Sequence, residues 1–217
     1  MIAAAGLLTG AALKRSAVAV RESGCPVIPD GEVSYRPHFV EPAEADQTLE
    51  RLIARPDWQC LRSRLFGREV ELPRLTAWWG EADARYRYSG ITHVADGWPR
   101  FVEDLRDRLQ AELGLCFNSV LANRYRDGRE YMGWHSDDER DLGEQPVIAS
   151  LSFGAERRFL MRHRERKDVQ TFEWVLGHGS LLLMGGETQR HWKHRLPPMA
   201  RCRAERVNLT FRSVRVS

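Results

Sequence analysis

Lysine is almost missing from this 217-residue chain: of its 33 basic residues, Lys14, Lys167 and Lys193 are the ammonium side chains and the rest are arginine. Arginine presents a planar fork suited to carboxylates and phosphates. A genome-wide arginine bias would give the same count. With 30 acidic residues the formal net charge is only +3, so bulk charge names no partner and only individually placed arginines inform. Cysteine is scarce as well. Cys25, Cys60, Cys116 and Cys202 form no C-x-x-C pair, which excludes a zinc ribbon and a dithiol redox motif and fits a reducing, intracellular compartment. The hydrophobic fraction of 42% and the charged fraction of 29% are those of a globular chain, neither disordered nor membrane-embedded. The opening apolar stretch is followed, not preceded, by Lys14 and Arg15, so it reads as a flexible tail rather than a signal peptide. No internal repeat or low-complexity segment occurs.

The length allows one domain with a sizeable core. Residues 1–32, ending in Gly24, Pro26, Pro29 and Gly31, read as a flexible extension, and residues 33–217 as a single domain. Leu49, Leu52 and Ile53 predict a helix from Pro42 to Arg55, stopped by Pro56. Phe101, Leu105 and Leu109 predict a second from Trp98 to Leu113. Beyond Asn118 short runs alternate with glycine-marked turns. Strands are expected at 118–126, 147–153, 157–163, 170–176, 180–185, 191–196 and 205–214. Short strands in that number fit an α+β fold, with supporting N-terminal helices and a double-sheet jelly roll of the cupin type, or double-stranded β-helix.

Within GWHSDDE, His135 and Asp137 are two residues apart, a spacing that on extended backbone sends both side chains to one face. With a second histidine they would complete a two-histidine, one-carboxylate facial set that leaves coordination positions open, as Fe(II) oxygenases require. His191 and His194 compete for that place, and spacing does not choose between them. His163 and His178 read as surface or loop residues. In RVNLTFR, Val207, Leu209 and Phe211 alternate with Arg206, Asn208, Thr210 and Arg212, giving either a solvent-facing strand or one with a cationic inner face. Asn123 and Tyr125 share a face on the strand leading to the metal motif. Two arginines, an amide and a phenol together would fix a dicarboxylate whose 2-oxo acid end chelates iron.

The strings NRYRDGREYMGWHSDDE, IASLSFGAERRFLMRH, GSLLLMGGETQRHWKHRLP and RVNLTFR together resemble the AlkB-type oxidative nucleic-acid dealkylases, over roughly Leu65 to Val214 and nearest to the branch acting on double-stranded DNA. The resemblance places the metal on His135, Asp137 and His194, and assigns Asn123, Tyr125, Arg206, Asn208, Thr210 and Arg212 to the 2-oxoglutarate site, with Arg206 on the distal carboxylate. It implies Fe(II), 2-oxoglutarate and O2 as cofactor and cosubstrates. In the implied reaction an N-alkyl carbon is hydroxylated, succinate and CO2 form, and the product sheds an aldehyde to restore the base.

A base buried in a duplex must be flipped out, and an apolar wedge commonly fills the gap. Phe66 beside Gly67, flanked by Arg64 and Arg68, reads as such a finger, or alternatively as a hairpin aromatic packed into the domain. The resemblance puts Tyr86 and Tyr88 in a nucleotide-recognition lid within about residues 60–117. Asp138 or Glu139 is a contact for the target base or a member of a solvated turn. The basic run 157–167 is a DNA-backbone track or a charge-protected edge strand. Trp78, Trp79, Trp134, Trp174 and Trp192 read as core residues. A monomer acting on DNA, duplex or single-stranded, is the expectation. RNA stays open, as do a protein or small-molecule substrate on the same fold and a non-catalytic nucleic-acid-binding module.

Overall fold

The computed structural model describes residues 26–65, 68–82, 85–88, 91–94 and 97–215, with 63–65, 68, 85–88 and 91–94 as backbone only. The chain runs β1 (Glu32–Arg36), α1 (Pro42–Ile53), β2 (Gln59–Leu65), β3 (Arg68–Gly80), β4 (Arg85–Tyr88), β5 (Ile91–Val94), α2 (Arg100–Leu113), β6 (Ser119–Tyr125) and β7 (Met132–His135). It continues through β8 (Ile148–Gly154), β9 (Arg157–His163), β10 (Phe172–Leu176), β11 (Ser180–Gly185), the one-turn α3 (Thr188–His191), β12 (Trp192–Leu196) and β13 (Arg206–Arg212). Among the described residues, a seven-stranded antiparallel sheet has the order β1-β11-β8-β13-β6-β3-β2, and a four-stranded sheet the order β10-β9-β12-β7. β4 and β5 form a separate hairpin.

Strand alternation divides the core in two. Val207, Leu209 and Phe211 of β13 join Val120 and Ala122 of β6 and Leu151 and Phe153 of β8 on the outer face of the large sheet. There they pack against Leu52 of α1 and Val102, Leu105, Leu109 and Leu113 of α2. Between the sheets lie Trp78, Leu121, Ile148, Phe159, Met161, Trp174, Leu176, Leu182, Met184 and Trp192. All seven residues of β13 are buried, so its polar face looks into the double-stranded β-helix and not toward solvent.

The helices end where local chemistry stops them. Gly114 caps α2 in the left-handed region at φ 65°, which a residue without Cβ adopts freely. Its start falls two residues later than expected, because Pro99 occupies the cap and biases Trp98 away from helical backbone. The domain also begins earlier than Val33. β1 starts at Glu32 and pairs with β11, Ile28 is buried, and the Trp192 indole donates to Pro29 O at 2.8 Å. β3 runs thirteen residues in spite of Pro73, which sits where the β2–β3 register slips between Cys60↔Leu75 and Arg62↔Glu71. A bulge tolerates a residue that cannot donate to the ladder. The same irregularity accompanies the inward turn of Arg74, which is buried and donates from Nε to Asn123 Oδ1 at 2.8 Å.

Two expectations need correction. Trp134 is not a core residue: it lies half-buried on the outside of the small sheet, between the guanidinium groups of Arg162 and Arg195 at 4.4 and 4.7 Å. His163 is not a surface residue: it is 8% exposed, and its Nδ1 accepts the N–H groups of Glu165 and Arg166. His178 does lie in a loop, where its Nδ1 accepts the N–H of Gly154 at 2.8 Å.

Candidate metal centre and cosubstrate pocket

β7 is an edge strand of the small sheet, and its last residue, His135, pairs across to His194 on β12 with ring centroids 4.2 Å apart. Asp137 lies beyond the end of β7, so loop ties and not strand alternation bring it to the same point. Ser136 Oγ donates to Trp192 O at 2.7 Å, and the Asp137 N–H donates to Gln189 Oε1 at 2.9 Å. Ligand atoms of His135, Asp137 and His194 all lie within 4.8 Å of one another, the only such cluster among the described residues. His191 is turned away, its ring beside those of His163 and near Glu187, so geometry selects His194.

The three side chains are in ligand-ready states. Burial pushes His194 down to about 3, helped by His135 and Arg212 and opposed by Asp137. His135 is lowered as well, by burial first, so both imidazoles are neutral at pH 7. Nδ1 of His135 is 2.9 Å from Gly133 O and donates to it, which leaves Nε2 with the lone pair for a metal. Burial alone would raise the carboxyl of Asp137. The guanidinium of Arg212 and the two imidazoles outweigh it and hold the group at about 2. Arg212 Nη2 takes Oδ1 of Asp137 at 2.9 Å, and Oδ2 faces His194 Nε2 at 4.0 Å. Two neutral imidazoles and one carboxylate, converging beside a cavity, fit a borderline divalent transition metal such as Fe(II) that keeps free positions.

That cavity is lined by all of Asn123, Tyr125, Arg206, Asn208, Thr210 and Arg212 together with the three metal-site residues. β6 and β13 pair in the register Arg206↔Tyr125 and Asn208↔Asn123, so one ladder presents the whole polar floor. Asn208 Nδ2 donates to Ser150 Oγ at 2.8 Å, and Thr210 Oγ1 donates to Asn208 Oδ1 at 3.0 Å. At the far end Arg206 is 2% exposed, donates to Ser152 Oγ at 2.9 Å, and lies 5.4 Å from the Tyr125 ring centre. Among the described residues no carboxylate pairs with it. Burial therefore lowers it to about 10 even though Tyr125 supports the charge. A desolvated guanidinium without a counter-ion is costly, and an anionic ligand removes that cost. Phe159, Leu176 and Met184 supply the apolar wall beside it, suited to a short methylene chain.

Sequence reasoning missed Ser150, Ser152, Arg74, Gln189 and Arg157. The serines had a signal, since Ser150 and Ser152 sit two apart in the strand ASLSFG, on the face opposite Leu151 and Phe153. Arg157 had none. It is 1% exposed, donates to Glu130 O and Pro197 O at 2.7 and 2.9 Å, and lies 5.5 Å from the Tyr125 ring centre, which Arg206 also approaches.

The proposed base contacts are partly out of view. Phe66 and Gly67 lie outside the described residues, as do the side chains of Arg68, Tyr86 and Tyr88. The backbone pairs Leu65 with Arg68 and Tyr86 with His93. Asp138 is half-exposed and ion-paired with Arg164, and Glu139 is partly buried just before the short 3₁₀ turn Arg140–Leu142. In the basic run, Arg158 pairs with Glu173, Arg164 with Asp138 and Arg166 with Asp168.

A double-stranded β-helix with a two-histidine, one-carboxylate cluster at a cavity floored by arginines and polar side chains has the architecture of a mononuclear non-haem iron oxygenase. The profile of the 2OG-Fe(II) oxygenase superfamily matches residues 32–212, and the chain belongs to that superfamily, in its AlkB-type branch. It is 46% identical over 193 residues to alpha-ketoglutarate-dependent dioxygenase alkB homolog 3 of Rattus norvegicus, a match covering 84% of this chain and 64% of that protein. It is 40% identical over 181 residues to DNA oxidative demethylase ALKBH2 of Mus musculus, covering 79% and 76%. The match to the alkB homolog 3 relative thus spans less than two thirds of its length. Among solved structures, OsALKBH1 superposes with a TM-score of 0.59 at 16% identity, covering 87% of this chain and 99% of that one. A Pseudomonas putida prolyl-4-hydroxylase gives 0.52 at 18%, covering 83% and 92%. These two likenesses bear on the fold alone.

Proposed function

We propose that the protein removes alkyl groups from ring nitrogens of DNA bases, lesions of the 1-methyladenine and 3-methylcytosine type, by oxidising the alkyl carbon at the expense of O2 and 2-oxoglutarate. The observation that carries this is the pairing of the His135–Asp137–His194 cluster with a buried, unneutralised Arg206 at the other end of one cavity. Iron bound at the cluster supplies the oxidation; the chain supplies orientation. Arg206, Tyr125 and Ser152 hold the distal carboxylate, and the Asn208–Thr210–Ser150 floor sets the depth of the cosubstrate. Arg212 keeps one oxygen of Asp137 occupied, so that the other, which faces His194, would be the one left for a metal.

DNA as substrate is supported by the name of the mouse demethylase relative. Charge on the outer face of the small sheet supports it too: among the described residues Arg162, Lys193 and Arg195 have no acidic partner, and Arg162 is exposed beside Trp134. Duplex DNA is the preferred form on this reading, with Phe66 as the wedge, Tyr86 and Tyr88 in the lid, and Asp138 or Glu139 at the base edge. The protein acts as a monomer in the reducing intracellular compartment. No described helix is long and apolar enough to cross a membrane.

The test is restoration of a duplex oligonucleotide carrying 1-methyladenine, with Fe(II), ascorbate and 2-oxoglutarate, comparing the intact protein with Asp137→Ala. Repair by the intact protein alone is expected. Succinate formation without repair would retain the oxygenase and reject this substrate; no succinate at all would reject the oxygenase reading.

A further inference from the structure

We propose that Gln189 is the positioning residue that sets Asp137 against His194, and that the metal affinity of the site depends on its side-chain carbonyl. Asp137 is fixed at two points. Its carboxylate is held by Arg212, and its main-chain N–H is held by Gln189 Oε1 at 2.9 Å. Gln189 is 1% exposed and sits on the single turn α3. That turn runs directly into β12, the strand that carries His194. One short segment therefore holds one metal-site histidine and grips the carboxylate residue, so the Gln189 side chain is the ruler between them. Ser136, bonded to Trp192 O, ties the same loop to the same segment but does not itself hold the Asp137 N–H.

The orientation of the amide is determined. Oε1 must face the Asp137 N–H, because reversal would set an NH2 group against it; Nε2 then points to Met184 Sδ at 3.6 Å. Met184 lines the cosubstrate cavity. The residue thus touches the Asp137 loop on one side and the wall of the cosubstrate pocket on the other, without itself reaching the metal position. Groups that fix metal ligands from behind commonly govern affinity by about 10- to 100-fold.

The inference rests on the metal reading of His135, Asp137 and His194, and the test separates the two. Mn(II) binding to the full chain is measured by calorimetry and by the loss of the free-ion paramagnetic signal, for the unaltered protein, Gln189→Met and Gln189→Glu. Methionine keeps length and apolar packing but removes the acceptor. Glutamate keeps an acceptor oxygen in either protonation state. Gln189→Met is expected to weaken Mn(II) binding by about 10- to 100-fold, and Gln189→Glu to stay within a few-fold of the unaltered chain. Amide hydrogen exchange at Asp137 in chelator-treated protein should speed up in Gln189→Met only, a local effect that general destabilisation would not confine to one peptide. Equal Mn(II) affinity for Gln189→Met and the unaltered protein, or equal damage from both variants, overturns the proposal. Absence of Mn(II) binding by the unaltered chain overturns the metal reading itself.

Discussion

Arg206 combines two demands that ordinarily conflict. A guanidinium at 2% exposure with no carboxylate beside it among the described residues opposes folding, yet the same group would make the cavity attractive to a dicarboxylate. Arg206→Met should therefore raise the KM for 2-oxoglutarate by about two orders of magnitude, within the 2–5 kcal/mol range of a lost buried charge pair. Stability without ligand should be unchanged or higher, because apolar replacement of buried charge is often stabilising by about 1–4 kcal/mol. Urea unfolding with and without 2-oxoglutarate checks both halves; a variant much less stable without ligand would show that Arg206 is a structural cation. His194 gives a second prediction, for chelator-treated protein. An unfolded imidazole titrates near ~6.5, whereas this one is held down to about 3, so on acidification the unfolded chain takes the proton first. The contribution is fully present above ~6.5 and is lost as pH falls toward 3, with a slope approaching about 1.4 kcal/mol per pH unit. Asp137, lowered to about 2, adds a loss of the same sign only below ~4. Unfolding midpoints should drop between neutral pH and pH 5, and His194→Phe should flatten that drop.

At the level of elements, the second half of the chain was legible because its strands alternate cleanly around glycine turns. β8, β9, β11, β12 and β13 fall within two residues of expectation, and the period of β13 gives which residues share a face, though only burial shows that the polar face is the inner one. β3 was hidden by Pro73, and β7 is four residues of mixed polarity that no period distinguishes from a turn. His135 and Asp137, Asn123 and Tyr125, and the alternate residues of β13 were readable because each set lies two apart on one segment, whereas His194 was separated from His191 by the family resemblance alone; Arg157 and Gln189 were not readable, because their partners come from distant parts of the chain. Asp127-Gly128 shows the same limit. The pair signals a turn, but not that Gly128 N–H donates to Cys202 O at 2.9 Å and that Met199 N–H donates to Gly128 O at 2.6 Å. A Cβ on Gly128 would sit 1.9 Å from Met199 O, a backbone atom with nowhere to go. Gly128→Ala should cost more than about 2 kcal/mol in urea unfolding, through overpacking rather than through backbone dihedral strain. A cost near zero would mean that the 198–202 loop moves freely away from the turn.

For the molecule as a whole, a net charge of +3 conceals how the cations are used. Many of the arginines are spent on acidic neighbours: Arg124 on Glu205, Arg129 on Asp127, Arg158 on Glu173, Arg164 on Asp138. Arg157, within the basic run, is buried in main-chain carbonyls and cannot meet a phosphate. What remains among the described residues on the outer face of the small sheet is Arg162 and Arg195 around Trp134, with Lys193 paired across from Arg162, and β12 and β7 carry the metal-site histidines on the opposite side of the same strands. A nucleic-acid strand that passes over this outer face would meet those charges. If it does, each cation in contact with a phosphate adds roughly 0.9 to the slope of log K against log salt on duplex DNA. Arg162→Gln combined with Lys193→Gln should weaken binding uniformly across sequences and flatten the slope by roughly twice that amount. Succinate formation from 2-oxoglutarate without DNA should stay at the level of the unaltered protein, since neither side chain reaches the cavity. An unchanged salt slope would mean that the strand leaves by another face, and that Arg162 serves to pin Trp134, and through it the edge strand β7, against its neighbours.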